Sequence, residues 1–144
     1  MVKILIADDK TGLEFLIKQK FRQKIREQQY EFIFAINGND ALAKILLHPD
    51  IEIVLSDINM PEMDGLTLLS RLSESSPLIK SVIVSVYGDM ENIRSAMNRG
   101  AFDFITKPIN FQDLSLTMEK QSVMLIRPVQ HLRRLKKIIF LKCM

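Results

Sequence analysis

Four apolar stretches of this chain end on side chains that can do chemistry. "VKILIA" (2–7) runs into Asp8 and Asp9, "IEIVLS" (51–56) into Asp57, "IKSVIVSV" (79–86) carries Ser85 next to its end, and "AFDFIT" (101–106) runs into Lys107 and Pro108. Three carboxylates, a hydroxyl and an amine therefore fall at strand ends. Carboxylates crowded together repel and raise one another's pKa, a cost removed when a cation sits among them. Oxygen-only ligands of this kind suit Mg²⁺, which binds few carboxylates and keeps room for waters and a phosphate. A lysine opposite suits a phosphoryl oxygen. The set reads as a phosphoryl-transfer site with an aspartate nucleophile. Singly, each residue has a plainer use: Asp8 or Asp9 as a helix N-cap, Ser85 as a turn residue, Lys107 as a solvated rim charge, Pro108 as a strand stop. The weight lies in their coincidence.

These residues converge only if the elements carrying them do. Residues 2–7, 31–36, 51–56, 79–86 and 101–106 read as strands. Apolar positions spaced by three and four predict a helix over 11–29, through Leu13, Leu16, Ile17, Phe21 and Ile25. Further helices are expected over 40–47 after the Asn37-Gly38-Asn39-Asp40 turn, from Gly65 to about 74, over 89–98 before Gly100, and over 110–126. Strand and helix alternate five times, the pattern of a parallel α/β sheet with helices on both faces and right-handed crossovers. Ligands of such sheets bind at the carboxyl ends of the strands, where strand order reverses. The second strand ends in Asn37 and Gly38 and reads as an edge strand outside the site.

A chain of 144 residues that is 47% apolar favours one soluble domain with a real core. No apolar run approaches the roughly 20 residues of a membrane span, and the N-terminal run is too short for a signal peptide. The single cysteine, Cys143, fits a reducing compartment, so a cytoplasmic location is expected. Through residue 126 there are 17 acids against 14 bases, a formal −3, and six bases with no acid follow. The folded part is thus mildly acidic and the tail basic. No GxGxxG, GxxxxGK[ST] or GxSxG motif occurs, which argues against dinucleotide, P-loop and hydrolase-elbow chemistry. His48 and His131 lie far apart and next to no cluster of carboxylates or cysteines, which argues against a histidine catalyst or zinc site.

Over residues 2 to about 126 the chain resembles the receiver domain of bacterial two-component response regulators. "ILIADD", "SDINMPEMDG", "VIVSVYGD" and "GAFDFITKP", in that order and spacing, carry the resemblance. It implies a doubly wound, flavodoxin-like sheet in the order 2-1-3-4-5. It implies that Asp57 accepts a phosphoryl group from a sensor histidine kinase or phosphotransfer protein, in phosphorelay signalling rather than as a conventional enzyme. Asp9 and Asp57 would ligate Mg²⁺ with the backbone carbonyl of Asn59, and Asp8 through water. Ser85 and Lys107 would take phosphoryl oxygens, the Lys107–Pro108 bond would be cis, and Phe104 would be the aromatic that follows Ser85 in a two-state switch. The face of the fourth helix, fifth strand and fifth helix would be the readout or homodimer surface.

Two positions depart from the family pattern: Val86 is larger than the usual alanine or glycine, and Tyr87 follows it. Both are expected to narrow access to Asp57. A phosphate-independent receiver acting as a binding or dimerisation module is the rival reading, although it usually lacks one of the acids or the lysine, all present here. A phosphohydrolase would want a second aspartate where Asn59 stands. Residues 127–144, "RPVQHLRRLKKIIFLKCM", read as a basic helical extension or a linker to an output domain. Leu125, Leu132 and Ile139 recur every seven, the spacing of a short helix that pairs with another, so this C-terminal helix is the alternative homodimer surface. No DNA-binding motif is visible, which argues against direct contact with nucleic acid.

Overall fold

The computed structural model describes residues 1–10, 12–86 and 88–126, with side chains through residue 119. Its five strands are β1 (Val2–Ala7), β2 (Tyr30–Ala35), β3 (Ile53–Asp57), β4 (Lys80–Val86) and β5 (Asp103–Lys107). They form one parallel sheet in the order β2-β1-β3-β4-β5. The order reverses between β1 and β3, so the ends of those strands flank the crevice where such sheets bind ligands.

The helices are α1 (Gly12–Lys20), α2 (Arg22–Arg26), α3 (Gly38–Leu47), α4 (Gly65–Ser75), α5 (Met90–Asn98) and α6 (Phe111–Ile126). Alternation along each strand sorts the core into two faces. Ile4, Ile6, Ile53, Leu55, Val82, Val84 and Ile105 pack with Ile17 of α1 and with Leu114 and Met118 of α6. On the other face Leu5, Ala7 and Val54 meet α3 and α4, and Ile83 meets Leu69 and Ala96, the latter from α5. Each such buried branched side chain contributes about 1.5–3 kcal/mol.

The single helix expected over 11–29 is instead two. Phe21 takes φ −106°, ψ 21° between α1 and α2. Its ring is buried and meets Tyr30, Phe32 and Phe111, so tertiary packing sets the bend. After Arg26 the chain turns through Gln28 at φ 59°. Gln29 then accepts the Val2 N–H at 2.8 Å, and β2 begins opposite Val2 at Tyr30. The last two expected helices are therefore α5 and α6. Strand β5 starts two residues later than expected, because Ala101 still bonds back to Ala96 beyond the left-handed Gly100.

Candidate functional site

Strand register sets the rim. Ala7 lies opposite Ser56, so Asp8 follows at the level of Asp57. Asp57 is opposite Val84, and Val86 is opposite Lys107. By alternation Asp8, Asp57, Val86 and Lys107 share the face of α1 and α6, whereas Ser85 shares that of Ile83 and α5.

Asp8, Asp9 and Asp57 each offer a carboxylate oxygen, all within 4.8 Å of one another. Asp57 is buried, Asp8 partly buried and Asp9 exposed. Lys107 Nζ pairs with Asp57 Oδ2 at 2.8 Å. Burial pushes the Asp8 carboxyl above its ordinary range, and the negative charges of Asp57 and Asp9 add to the rise. The Lys10 N–H, donated to Asp8 Oδ1 at 2.8 Å, and the more distant Lys107 oppose it. Asp8 thus spends that bond on its own loop. The donor set fits a hard divalent cation: three oxygen donors in mutual reach, at least one reluctant to carry charge without a counterion.

The loop after β3 is pinned at both ends. Gly65 N–H donates to the Ile58 carbonyl at 2.8 Å. A Cβ at Gly65 would lie 2.1 Å from the Asp57 carbonyl oxygen, so glycine alone lets α4 start this close to the strand end. Asp64 caps α4 by accepting the Thr67 N–H at 2.8 Å. Asn59 is exposed in the same loop, and the Lys107–Pro108 peptide is cis.

β2 is the edge strand expected, and the turn after it is bonded to the loop that follows Asp57. Buried Asn37 accepts the Asp40 N–H through Oδ1 at 2.8 Å and donates through Nδ2 to Glu62 Oε2 at 2.7 Å. Gly38 N–H donates to the Met63 carbonyl at 3.0 Å. A Cβ on Gly38 would meet the Met63 side chain at 2.6 Å. Two bonds therefore tie the β2–α3 turn to the loop that follows Asp57. The Asn-Gly pair marks a turn in the sequence, but nothing local shows that its free amide reaches a residue 25 positions away.

Ser85 is buried at the end of β4, and its hydroxyl donates to Asp89 Oδ2 at 3.2 Å. Asn92 Nδ2 donates to the same oxygen at 2.8 Å. The Asn92 amide, and after it the Ser85 hydroxyl, hold the Asp89 carboxyl below its ordinary range. Asp89 closes the "VIVSVYGD" stretch, but nothing local in the sequence marks it or Asn92 as a partner of Ser85. Val86 is 54% exposed beside Lys107. Phe104 is exposed and lines a surface depression of about 340 Å³ with Thr106, Leu116 and Thr117. Tyr87 and the tail 127–144 lie outside the described residues.

A model of the response regulator receiver domain family matches residues 4–119. The chain belongs to that family. This receiver domain is 30% identical over 135 residues to the regulatory protein AtoC of Escherichia coli (strain K12), covering 92% of this chain and 28% of that protein. It is 34% identical over 122 residues to the chemotaxis protein CheY of Listeria monocytogenes, covering 83% of this chain and 98% of that one. Among solved structures, the receiver domain of NtrX from Brucella abortus superposes with a TM-score of 0.71 at 31% identity, covering 82% of this chain and 96% of that one. The chain spans about a quarter to a third of the length of the regulators that head its relatives, and nearly all of the shorter ones. The expected sheet order and family both hold. The relatives are signalling regulators, and among the described residues no helix is long and apolar enough to cross a membrane.

Proposed function

We propose that residues 1–126 are a phosphorylatable receiver in which Asp57 accepts a phosphoryl group from the phosphohistidine of a sensor kinase or phosphotransfer protein. The observation that carries this is the Asp57 carboxylate, buried, within 4.8 Å of two further carboxylates and paired with Lys107 at 2.8 Å. An Asp57 oxygen attacks phosphorus, the P–N bond breaks, and the imidazole leaves with its electron pair. Asp9 and Asp57, with the Asn59 carbonyl, would hold Mg²⁺ directly and Asp8 through water. When bound, Mg²⁺ neutralises charge on the phosphoryl oxygens. Lys107, already on Asp57, is positioned to pass to a phosphoryl oxygen as charge arrives there. Ser85 donates its hydroxyl to another. Burial at the strand end excludes bulk water from the carboxylate until a donor docks.

The product is a new dianion on the rim, biasing a two-state element made of Ser85, Phe104 and α5. Phe104 starts in an outward position, and without a hydroxyl its inward and outward states differ by packing alone. The surface of α5, β5 and α6, with exposed Met90, Met97, Phe104 and Leu116, is the proposed readout or homodimer face in a cytoplasmic signalling protein. An output domain joined through residues 127–144 would receive the signal.

The test is intact-protein mass after incubation with acetyl phosphate and Mg²⁺. The wild type should gain one phosphoryl mass and Asp57→Asn none. A wild type with no adduct would instead make the chain a phosphate-independent binding module, and turnover without an adduct would make it a hydrolase.

A further inference from the structure

Ser85 has one hydroxyl proton to donate, and in this structure that proton is committed to Asp89 Oδ2 at 3.2 Å. The sequence builds the arrangement locally. Gly88 takes φ 86°, a left-handed conformation that favours glycine. Asp89 N–H bonds back to the Val86 carbonyl at 3.2 Å. This turn brings Asp89, the residue preceding α5, under the end of β4. Asn92, one turn into α5, holds the same carboxylate oxygen at 2.8 Å. A continuous path of hydrogen bonds thus runs from the end of β4 into the first turn of α5.

We propose that Asp89 is a positioning residue that holds the Ser85 hydroxyl away from the phosphoacceptor, so that a phosphoryl group on Asp57 and the Asp89 carboxylate compete for one proton. This rests on the reading of Asp57 as the phosphoacceptor. Two properties make Asp89 an effective competitor. A carboxylate is a stronger acceptor than a neutral oxygen, and the Asn92 amide keeps it ionised and aimed at Ser85. When Ser85 turns to a phosphoryl oxygen, Asp89 loses that donor and keeps Asn92. The first turn of α5, which leads to the proposed readout face, therefore senses the state of Asp57 through a carboxylate that never touches the phosphoryl group.

The test compares wild type, Asp89→Asn, Ser85→Ala and the double variant. The Asp89 side chain makes no capping hydrogen bond to α5 and asparagine has nearly the same shape, so α5 keeps its start, while the acceptor becomes neutral and weaker. The rate of adduct formation with acetyl phosphate and Mg²⁺ should rise about threefold on Asp89→Asn when Ser85 is present and stay unchanged in the Ser85→Ala background, the signature of two coupled residues. An equal rise in both backgrounds would mean that Asp89 acts only through its charge, and that result, or no rise at all, overturns the proposal. A second readout needs no phosphoryl group. Carbon NMR titration of the Asp89 carboxyl should show its pKa higher in Ser85→Ala than in wild type, and an unmoved pKa overturns the proposal. Adduct formation in the wild type without coupling removes this inference alone. Absence of any wild-type adduct removes the phosphoacceptor reading and, with it, the competition proposed here.

Discussion

The two sides of the rim around Asp57 are held by different physics. On the side of α1 and α6, Asp57 is buried and ion-paired with Lys107 at 2.8 Å, and the loop behind it is fixed by Gly65 and by the bonds to Asn37 and Gly38. On the side of α5, Ser85 hangs on one 3.2 Å hydrogen bond to an aspartate outside the buried core, and Phe104 is exposed. Charge, burial and close backbone packing hold the first side in one arrangement. The second has a rotatable hydroxyl and an aromatic with open space beside it. The phosphoacceptor function proposed above needs this asymmetry: fixed geometry where bonds form, and a cheap rearrangement where the outcome is read.

The sharpest way to break the comparison is Asp57→Asn, which should abolish the phosphoryl adduct while leaving Ser85 on Asp89. Any adduct remaining at another residue would remove the fixed side's claim to the chemistry. Next come the two glycines. Gly65→Ala puts a Cβ against the Asp57 carbonyl and should cost about 3 kcal/mol in urea unfolding, at the upper end for overpacking. Gly88→Ala meets open space but keeps a left-handed backbone, and should cost only about 1 kcal/mol. Equal costs would mean that the two sides are equally rigid.

A smaller effect separates the sides by pH. The Asp8 pKa is raised in the folded chain, so its contribution to stability is greatest below the ordinary carboxylate pKa and is lost as pH rises through the folded value. Asp8→Asn should therefore stabilise the metal-free protein at pH 7 and not at pH 3, by under about 1 kcal/mol because the site is partly solvated. Thermal melts at the two pH values check the sign, and added Mg²⁺ should erase the advantage. Smallest is Val86→Ala, expected to speed uptake from acetyl phosphate about twofold by clearing space beside Lys107 without disturbing either side, since surface truncations change energies by a few tenths of a kcal/mol. An equal or faster wild-type rate, measured by mass, would show that Val86 does not limit access.

Much of this protein was legible in its sequence. Strand ends, helix starts and turn residues are short-range signals, set by side-chain period, capping and glycine. That is why Asp8, Asp9, Asp57 and Lys107 could be placed on one rim, and why the edge position of β2 was expected. Tertiary structure alone decided what depends on distant partners. Phe21 divides the first helix because its ring has Tyr30, Phe32 and Phe111 to meet. Asn37, an ordinary cap by its neighbours, reaches Glu62 across the top of the sheet. Ser85 carries one proton that several oxygens could accept, and only the folding of Gly88 and Asp89 back under β4 determines that Asp89 receives it. Local sequence restricts the backbone to a few conformations, whereas the partner of a rotatable polar group is chosen by whatever the whole fold brings within three ångströms.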